Sequence, residues 1–239
     1  RTQRVKVGNV ATEWNKVEAG VIQGSVLGPI LFILFIADIN QYIPSGCNIM
    51  KYADDILAYV LGKCDVGLPQ AIAKGVEDWC TANKMRLNEG KCKVLLINEN
   101  KDSSPLITLS NKPLEVVSSY KYLGIEINTE LNSTEQWHRT QKRIGPVPYL
   151  LKQLKLNGFR EEILVSVYRS HVLSHIGYGS PIFISATAAI HDEMERAQSR
   201  AFNIIGISEE VAREKYSIGT VKQFIEHTCV NTIKHADQP

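Results

Sequence analysis

The spacing of hydrophobic residues changes once along this chain. Up to residue 127, apolar residues fall in short runs separated by turn-forming residues, a pattern that predicts short strands with a few helices between them. From Asn128 onward, apolar residues recur every three or four positions, which predicts a series of amphipathic helices. We therefore predict two domains, residues 1–127 with mixed strands and helices and residues 128–239 with helices alone.

The first domain is predicted to open with two short strands and a helix. Residues 4–7 and 13–17 flank Gly8-Asn9, which favours a tight turn between antiparallel strands. The run 30–37 is apolar on every face, so we expect it to form a helix that is buried beneath a sheet. It is far shorter than a membrane span, which requires about 20 apolar residues.

One helix and several strands are predicted for the rest of the first domain. Ile72, Val76 and Trp79 recur at helical spacing, which predicts the buried face of a helix. Short apolar and β-branched runs between turn residues predict strands at residues 94–97, 106–109, 114–117 and 120–127.

Two adjacent acids, Asp54 and Asp55, interrupt an apolar stretch of the first domain. Strand-like runs stand on both sides, at residues 49–50 and 56–61, and Asp-Asp suits the tight turn between two strands. The pattern predicts a β-hairpin with two carboxylates at its tip. Adjacent carboxylates repel each other, and a divalent cation that prefers oxygen ligands, such as Mg²⁺, removes the repulsion. A plain surface turn also explains such a pair, and both interpretations stay open at this point.

Composition limits the classes of protein that fit this chain. Its 239 residues are 44% hydrophobic, which is enough for one large core or two smaller ones. The net charge of +2 is nearly neutral, so a nucleic-acid surface would need local clusters of basic residues. The 5 cysteines include no Cys-x-x-Cys pair, which indicates reduced thiols. With no signal-peptide pattern either, we expect an intracellular protein, nuclear or cytoplasmic.

The second domain contains a locally basic stretch. Residues 136–157 include no acid, and the Gly145-Pro146-Val147-Pro148 segment is expected to divide them into two helices. Such a stretch suits contact with phosphate groups, whereas a charged helix face can also be merely solvated; both interpretations stay open. The amphipathic spacing of apolar residues predicts two further helices, at residues 161–176 and 188–205. The basic residues of the stretch are Arg139, Lys142, Arg143, Lys152 and Lys155.

Four short segments stand out by their order along the chain. Residues 20–29 read GVIQGSVLGP, residues 52–55 read YADD, residues 79–91 contain WC, NKM, LN and K, and residues 120–125 read YKYLGI. In this order they resemble the nucleotide-contacting segment, the catalytic hairpin, the motif after it and the primer grip of reverse transcriptases. The residues of these segments are most similar to those of enzymes from non-LTR retrotransposons that are LINE-type and jockey-like.

The resemblance implies an α+β fold, in which the palm of a right-hand polymerase, an antiparallel sheet on helices, is followed by an all-helical thumb. Residues 1–127 would be the palm, without the fingers and the first catalytic strand. Residues 128–239 would be the thumb and a C-terminal helical extension. The implied function is that of an RNA-directed DNA polymerase, which performs two-metal nucleotidyl transfer with Mg²⁺. Its partners would be an RNA template, a DNA primer and dNTPs, and no membrane.

The resemblance also implies roles for particular residues. Asp54 and Asp55 would be catalytic metal ligands, and Lys91 would neutralise charge on the leaving pyrophosphate. Lys93 is a nearby alternative to Lys91 for that role. The other implied roles are nucleotide and template binding by Gln23, Gly24 and Tyr52, primer grip by Tyr122, Leu123 and Gly124, and contact with the nucleic-acid backbone by Arg139, Lys142, Arg143, Lys152 and Lys155.

One departure from the family's pattern affects the expected activity. The family's other catalytic Asp lies on a strand upstream of the Gln-Gly segment, and Glu13 and Glu18 stand too close to that segment to replace it. Ile22 also stands where the family usually has proline. Because this second Asp is missing, we expect the chain to bind metal weakly and to be inactive alone. The sequence opens on Arg1 without an initiator Met, which is typical of a piece of a longer chain, and both a fragment of an active enzyme and a degenerate copy stay open. The alternative from another class is a non-catalytic, nucleic-acid-binding relict of a palm and thumb.

Overall fold

A computed structural model describes residues 2–17, 20–21, 24–62, 67–98 and 106–236. The chain divides into two compact units, and each has its own hydrophobic core. The first unit contains residues 1–92 and 105–115, and the second contains residues 93–104 and 116–239. The described residues combine helices with two-stranded sheets, which agrees with the predicted α+β class. The division into a palm and a thumb at residue 127 stays a prediction.

Short antiparallel ladders open the first unit. β2 (Lys6–Val7) pairs with β3 (Val10–Ala11) across a turn in which Gly8 has a φ of 59°. β1 (Thr2–Gln3) pairs with β4 (Asn15–Lys16) farther from that turn. The predicted antiparallel turn at Gly8 is confirmed, but the predicted partners are wrong: residues 6–7 pair with 10–11, and residues 15–16 pair with 2–3.

The apolar helix that was expected to be buried is largely exposed. α1 (Leu27–Phe35) is followed by a 3-10 helix (Ala37–Tyr42), and Ile33 and Leu34 of α1 are 62% and 67% exposed. Ile36, directly after α1, is buried. The prediction of a buried helix is wrong, because the sheets described in the first unit have two strands each and are too small to cover a helix that is apolar on every face.

A small core joins the central elements of the first unit. β5 (Asn48–Tyr52) and β6 (Asp55–Tyr59) form an antiparallel hairpin, and α2 (Gly67–Ala82) follows it. The indole Nε1 of Trp79, which is buried, donates a 2.7 Å hydrogen bond to Asp38 Oδ1. The predicted helix and its buried face are therefore confirmed. The core consists of Ile36, Ile39, Trp79 and Cys80, with Phe32, Ile49, Ile56, Val76 and Leu87 packed against it.

The next strands lie close to their predicted positions. A 3-10 turn (Glu89–Lys91) leads into β7 (Lys93–Leu95), which pairs with β10 (Glu115–Val117). β8 (Thr108–Leu109) pairs with β9 (Lys112–Pro113) in an antiparallel hairpin. These pairings confirm three of the predicted strands with bounds shifted by one or two residues.

The last predicted strand is a hairpin instead. β11 (Ser119–Tyr122) and β12 (Ile125–Asn128) pair antiparallel, and Leu123 and Gly124 form the two-residue loop between them. Both loop residues have positive φ, 46° and 85°, as a type I′ turn requires. The prediction of a single strand over residues 120–127 is wrong, because these two left-handed residues reverse the chain.

The second unit is mainly helical, as its hydrophobic spacing predicts. The predicted break in the basic stretch is confirmed, since one helix ends at Ile144 and the next begins at Val147. Among the described residues, no helix is at once long enough and apolar enough to cross a bilayer. The helices are α3 (Thr134–Ile144), α4 (Val147–Leu156), α5 (Glu161–Tyr168), a π-helical turn (Arg169–Leu173), α6 (Ser174–Tyr178), α7 (Ser180–Phe183), α8 (Ala188–Ile205), α9 (Glu209–Tyr216) and α10 (Val221–Ala236).

Candidate active site and nucleic-acid interface

Asp54 and Asp55 lie at the exposed end of the β5–β6 hairpin. Tyr52 pairs with Asp55, so Ala53 and Asp54 form the two-residue loop. Ala53 has a φ of 51°, and a positive φ at the first loop position is typical of the turns that join such hairpins. Both aspartates are exposed. The predicted hairpin with two carboxylates at its tip is confirmed, whereas their catalytic role stays a prediction.

The base of this hairpin is anchored on the core of the first unit. Ile49 and Ile56 pack against that core from the two strands. Lys51 Nζ donates a 2.9 Å hydrogen bond to Asn40 Oδ1 in the 3-10 helix before the hairpin. Because Ile56 directly follows Asp55, core packing fixes the strand from which the carboxylates extend.

The segment that carries Lys91 is anchored on the same core. Lys84 has a φ of 55° and ends helix α2, and the amide of Met85 donates a 2.8 Å hydrogen bond back to the carbonyl of Cys80. Leu87 then packs against the core, and Lys91 is exposed at the end of the following 3-10 turn. The carboxylate hairpin and the segment leading to Lys91 therefore share one core within the first unit.

The carboxylates at the hairpin tip fit part of a magnesium site. Mg²⁺ is usually held by one or two carboxylates together with substrate phosphates, and Asp54 and Asp55 supply two carboxylates. Glu89 is engaged elsewhere: Lys112 Nζ donates a 2.6 Å hydrogen bond to it, which is the main reason why the pKa of Glu89 lies below its usual range. Within the described ranges, three or more His, Cys, Asp or Glu side chains do not come together as a metal site.

The residues expected to contact the nucleotide and template are described in part. Gln23 lies outside the described residues, so its approach to Asp54 stays a prediction. Gly24 has a φ of 80°, and a Cβ atom there would meet no atom of the described residues within 4 Å, which suits close approach of a ligand to its backbone. Tyr52 is 65% exposed and stands opposite Asp55 in the hairpin.

The β11–β12 hairpin, which resembles the primer grip, is held at two places in the second unit. Near its base, the Glu126 amide donates a 2.9 Å hydrogen bond to Gln136 Oε1, and Arg139 Nη1 pairs with Glu126 Oε2 at 2.6 Å. At its tip, the hydroxyl of Tyr178 donates to the carbonyl of Leu123. No sequence pattern signals this last contact, because its partners stand 55 positions apart.

The five basic residues predicted to contact the nucleic-acid backbone have different environments. Arg139 pairs with Glu126, as described above, and Lys155 Nζ donates a 2.8 Å hydrogen bond to the carbonyl of Ile204 near the end of α8. Both charges are therefore used within the second unit. The three that are exposed and form no hydrogen bond or ion pair in the described part of the chain are Lys142, Arg143 and Lys152.

His175 lies close enough to Arg143 of α3 for the charge of Arg143 to affect its pKa. Burial lowers the pKa of His175, and the positive charges of Arg143 and His171 lower it further. Arg143 belongs to α3, whereas the histidines belong to α6 and the π-helical turn before it. The lowered pKa keeps His175 uncharged at neutral pH, so it adds no cation to those of α3 and α4.

Comparison with known proteins identifies the family. The sequence pattern of the family described as "Reverse transcriptase (RNA-dependent DNA polymerase)" matches residues 3–127. The chain is 29% identical over 180 residues to the RNA-directed DNA polymerase from mobile element jockey of Drosophila funebris, covering 70% of this chain and 19% of that protein. It is 29% identical over 227 residues to the probable RNA-directed DNA polymerase from transposon BS of Drosophila melanogaster, covering 84% and 24%.

The jockey polymerase of Drosophila melanogaster is 24% identical over 196 residues, covering 77% of this chain and 21% of that protein. The chain therefore spans about a fifth of the length of the curated relatives it matches. The family match, by contrast, spans more than half of the chain. On that match the chain belongs to the reverse transcriptase family, with relatives in non-LTR retrotransposons.

Proposed function

We propose that the chain is the palm-to-thumb part of an RNA-directed DNA polymerase of a non-LTR retrotransposon. One observation carries the proposal: an exposed pair of aspartates ends a hairpin that shares a core with the Lys91 segment, in a chain of the reverse transcriptase family. The relatives are named RNA-directed DNA polymerases. The proposed reaction joins a deoxynucleotide to the 3′-hydroxyl of a DNA primer on an RNA template and releases pyrophosphate.

The residues of the first unit have distinct roles in this reaction. Asp54 and Asp55 would hold Mg²⁺ through their carboxylate oxygens. When bound there, Mg²⁺ would supply a Lewis acid for the attacking hydroxyl and positive charge for the leaving group. The ammonium group of Lys91 adds positive charge near the leaving pyrophosphate and can donate a proton to it. Gln23 and Gly24 contact the nucleotide and template, and Tyr52 contacts the primer end.

The second unit is proposed to bind the primer–template duplex. Tyr122, Leu123 and Gly124, at the tip of the β11–β12 hairpin, contact the primer 3′ end. The exposed cations of α3 and α4, Lys142, Arg143 and Lys152, contact phosphate groups of the duplex. The exposed cations support a thumb role for these helices, because contacts with phosphate groups position a duplex without reading its sequence.

The metal site is proposed to be completed by an Asp from a longer parent protein. Two neighbouring carboxylates on one hairpin supply one side of a two-metal site, and both ions must be positioned for transfer. We therefore expect the chain by itself to bind Mg²⁺ weakly and to incorporate no nucleotide. This expectation makes an extended protein the proper subject of an activity assay.

The test compares variants of a protein extended upstream through the rest of the polymerase. The assay measures dNTP incorporation on an RNA template with a DNA primer and Mg²⁺. We expect Asp54→Asn to reduce the rate by at least about a thousandfold, because a ligand of the metal site is lost while the side chain keeps its size. Asp78→Asn is the control, since Asp78 is an exposed acid of α2 that pairs with Lys74.

The two outcomes separate the proposal from its alternative. Full activity of Asp54→Asn would show that this hairpin is not the catalytic one. An extended, folded wild-type protein that binds duplex and never incorporates dNTPs would favour the non-catalytic relict.

A further inference from the structure

The tip of the β11–β12 hairpin has a backbone that needs support. Leu123 has a φ of 46°, in the left-handed region that bulky side chains rarely occupy. Such a residue costs free energy locally and persists only when its surroundings hold it in place. Gly124, with a φ of 85°, adopts the same region without a Cβ atom. The backbone conformation of the tip therefore depends on the contacts of Leu123.

Tyr178, at the end of α6, makes two contacts with this tip. Its hydroxyl donates a hydrogen bond to the carbonyl of Leu123. Its ring also lies against Gly124, because a Cβ atom at that position would be 3.2 Å from Tyr178 Cε1 and 3.3 Å from the hydroxyl oxygen. One side chain thus holds the carbonyl of one loop residue and covers the backbone of the other.

The backbone of Tyr178 is itself closely packed on both sides. A Cβ atom on Gly177 would lie 3.1 Å from the Phe224 ring of α10, and one on Gly179 would lie 2.5 Å from the ring of Phe183. Phe183 is fully buried in the core of the second unit. The two glycines therefore let α6 and α7 approach the core closely, and Tyr178 extends from a fixed point.

The side chain of Tyr178 is nevertheless not part of that core. It is 55% exposed, so loss of its hydroxyl leaves the helical packing intact. The base of the hairpin is held separately, by Gln136 and Arg139 of α3. Tyr178 thus joins the hairpin tip, rather than its base, to the helical core.

We propose that Tyr178 is a positioning residue that fixes the tip of the β11–β12 hairpin where a primer 3′ end is held. This inference rests on the proposed function of the hairpin as a primer grip. Tyr178 acts through Leu123 and Gly124 and does not touch the primer. It links the primer position to the helices of the second unit, which carry the cations proposed to bind the duplex.

The first experiment measures hydrogen exchange in the chain by itself. We expect Tyr178→Phe to speed exchange of the backbone amides of residues 119–128 about fivefold, the factor that one lost neutral hydrogen bond supplies. The amides of the β5–β6 hairpin should be unchanged. Tyr149→Phe is the matched control, because Tyr149 is also an exposed tyrosine, 70% exposed, on a helix of the same unit. Wild-type exchange of residues 119–128 in Tyr178→Phe would overturn the inference.

The second experiment tests the position of the primer. A primer with a 4-thiothymidine at its 3′ end, annealed to an RNA template, is photo-crosslinked to the wild-type chain and to both variants. We expect Tyr178→Phe to reduce crosslinking to residues 120–126 by about threefold at unchanged duplex affinity, since the lost hydrogen bond loosens the tip alone. Tyr149→Phe should match the wild type. If Tyr178 only stabilised the fold, Tyr178→Phe would reduce crosslinking and duplex affinity together.

The failures of the two proposals are distinguishable. If the wild type crosslinks at residues 120–126 and Tyr178→Phe crosslinks equally well, the positioning role is wrong and the primer grip stands. If the wild-type chain binds the duplex without any crosslink to this hairpin, the primer grip itself is wrong, and the positioning role is wrong with it.

Discussion

Glu161, in the first turn of α5, joins two helices of the second unit. It accepts a 2.6 Å hydrogen bond from the hydroxyl of Tyr216 and a 3.0 Å hydrogen bond from Lys215 Nζ, both at the end of α9. The hydrogen bond from Tyr216 is the main reason why the pKa of Glu161 lies below its usual range, followed by the one from Lys215. The site is solvated, so the contribution of each contact to stability is modest.

We predict that acid weakens this junction through Glu161. Its folded pKa is below the unfolded value of about 4.3, so its contribution is present above that value and is lost as pH falls through the folded pKa. Glu161→Gln should lower Tm at pH 7 and make the fall of Tm between about pH 5 and pH 3 less steep. Thermal unfolding over that range is the measurement, with the exposed α9 residue Glu214 changed to Gln as control. The prediction is contradicted if the Tm of Glu161→Gln depends on pH in the same way as the Tm of the wild type.

At the scale of elements, Gly75 determines how closely α2 approaches the 3-10 helix of the first unit. A Cβ atom on Gly75 would overlap the backbone carbonyl of Tyr42, and a backbone atom cannot move away as a flexible side chain can. Gly75 is also in the middle of a helix, where alanine is normally the better residue. Glycine is therefore required at this position for close packing, although alanine has the higher helix propensity.

We expect Gly75→Ala to reduce the free energy of unfolding by about 1–3 kcal/mol, because the overlap forces the two elements apart. Urea denaturation measures this change. Gly90→Ala is the control, since the closest atom to a Cβ there would be 3.7 Å away. If Gly75→Ala stabilises the chain as helix propensity alone predicts, the close approach of α2 to Tyr42 is wrong.

The exposed apolar surface of α1 is also a property of an element. Its side chains at spacings of three and four residues form a stripe along one face, and each is more than half exposed. Contiguous apolar surface of this kind is unusual on soluble proteins and is typical of interaction sites. The stripe consists of Leu27 (63%), Ile30 (53%), Leu31 (53%) and Leu34 (67%).

This stripe should bind a hydrophobic dye. We expect the wild-type chain to increase the fluorescence of 8-anilinonaphthalene sulfonate, and the double variant Leu31→Gln, Leu34→Gln to lose about half of that increase, because it removes half of the stripe. Leu156→Gln is the control, since Leu156 is 73% exposed on α4, away from this helix in the chain. An undiminished signal from the double variant would mean that α1 is covered in solution.

At the scale of the whole molecule, nucleic-acid binding depends on a few charges, because the net charge is only +2. We predict that the chain binds a primer–template duplex with little sequence preference and with affinity that falls steeply with salt. Replacing Lys142 and Arg143 by Ala should flatten the plot of log affinity against log salt concentration by about 2 units, one for each lost phosphate contact. Fluorescence anisotropy over a range of salt concentrations measures the slope.

The structure supplies a control for this measurement. Arg139 comes from the same basic stretch, and its guanidinium is paired with Glu126 at 2.6 Å. Arg139→Ala should therefore leave the salt slope nearly unchanged while loosening the β11–β12 hairpin. Equal salt slopes for the wild type and all variants would show that the duplex contacts another surface.

Sequence alone determined the features of this molecule that depend on neighbours along the chain. It predicted the hairpin with Asp54 and Asp55 at its tip, because turn and strand preferences act over a few residues. It predicted the break between α3 and α4, because the prolines and glycine at residues 145–148 act on the backbone next to them. The helix predicted over residues 188–205 is α8, which Thr187 caps at its start and Gly206 ends.

Tertiary structure alone decided which of the basic residues remain available and what holds the candidate primer grip. Arg139 finds its partner 13 positions away, Lys155 finds its acceptor 49 positions away, and Tyr178 reaches a hairpin 55 positions away. Exposure of α1 was likewise undecided by its composition, because burial requires a surface on another element that is large enough to cover it. Hydrophobic spacing shows which residues can be buried, and only packing between distant segments determines which of them are.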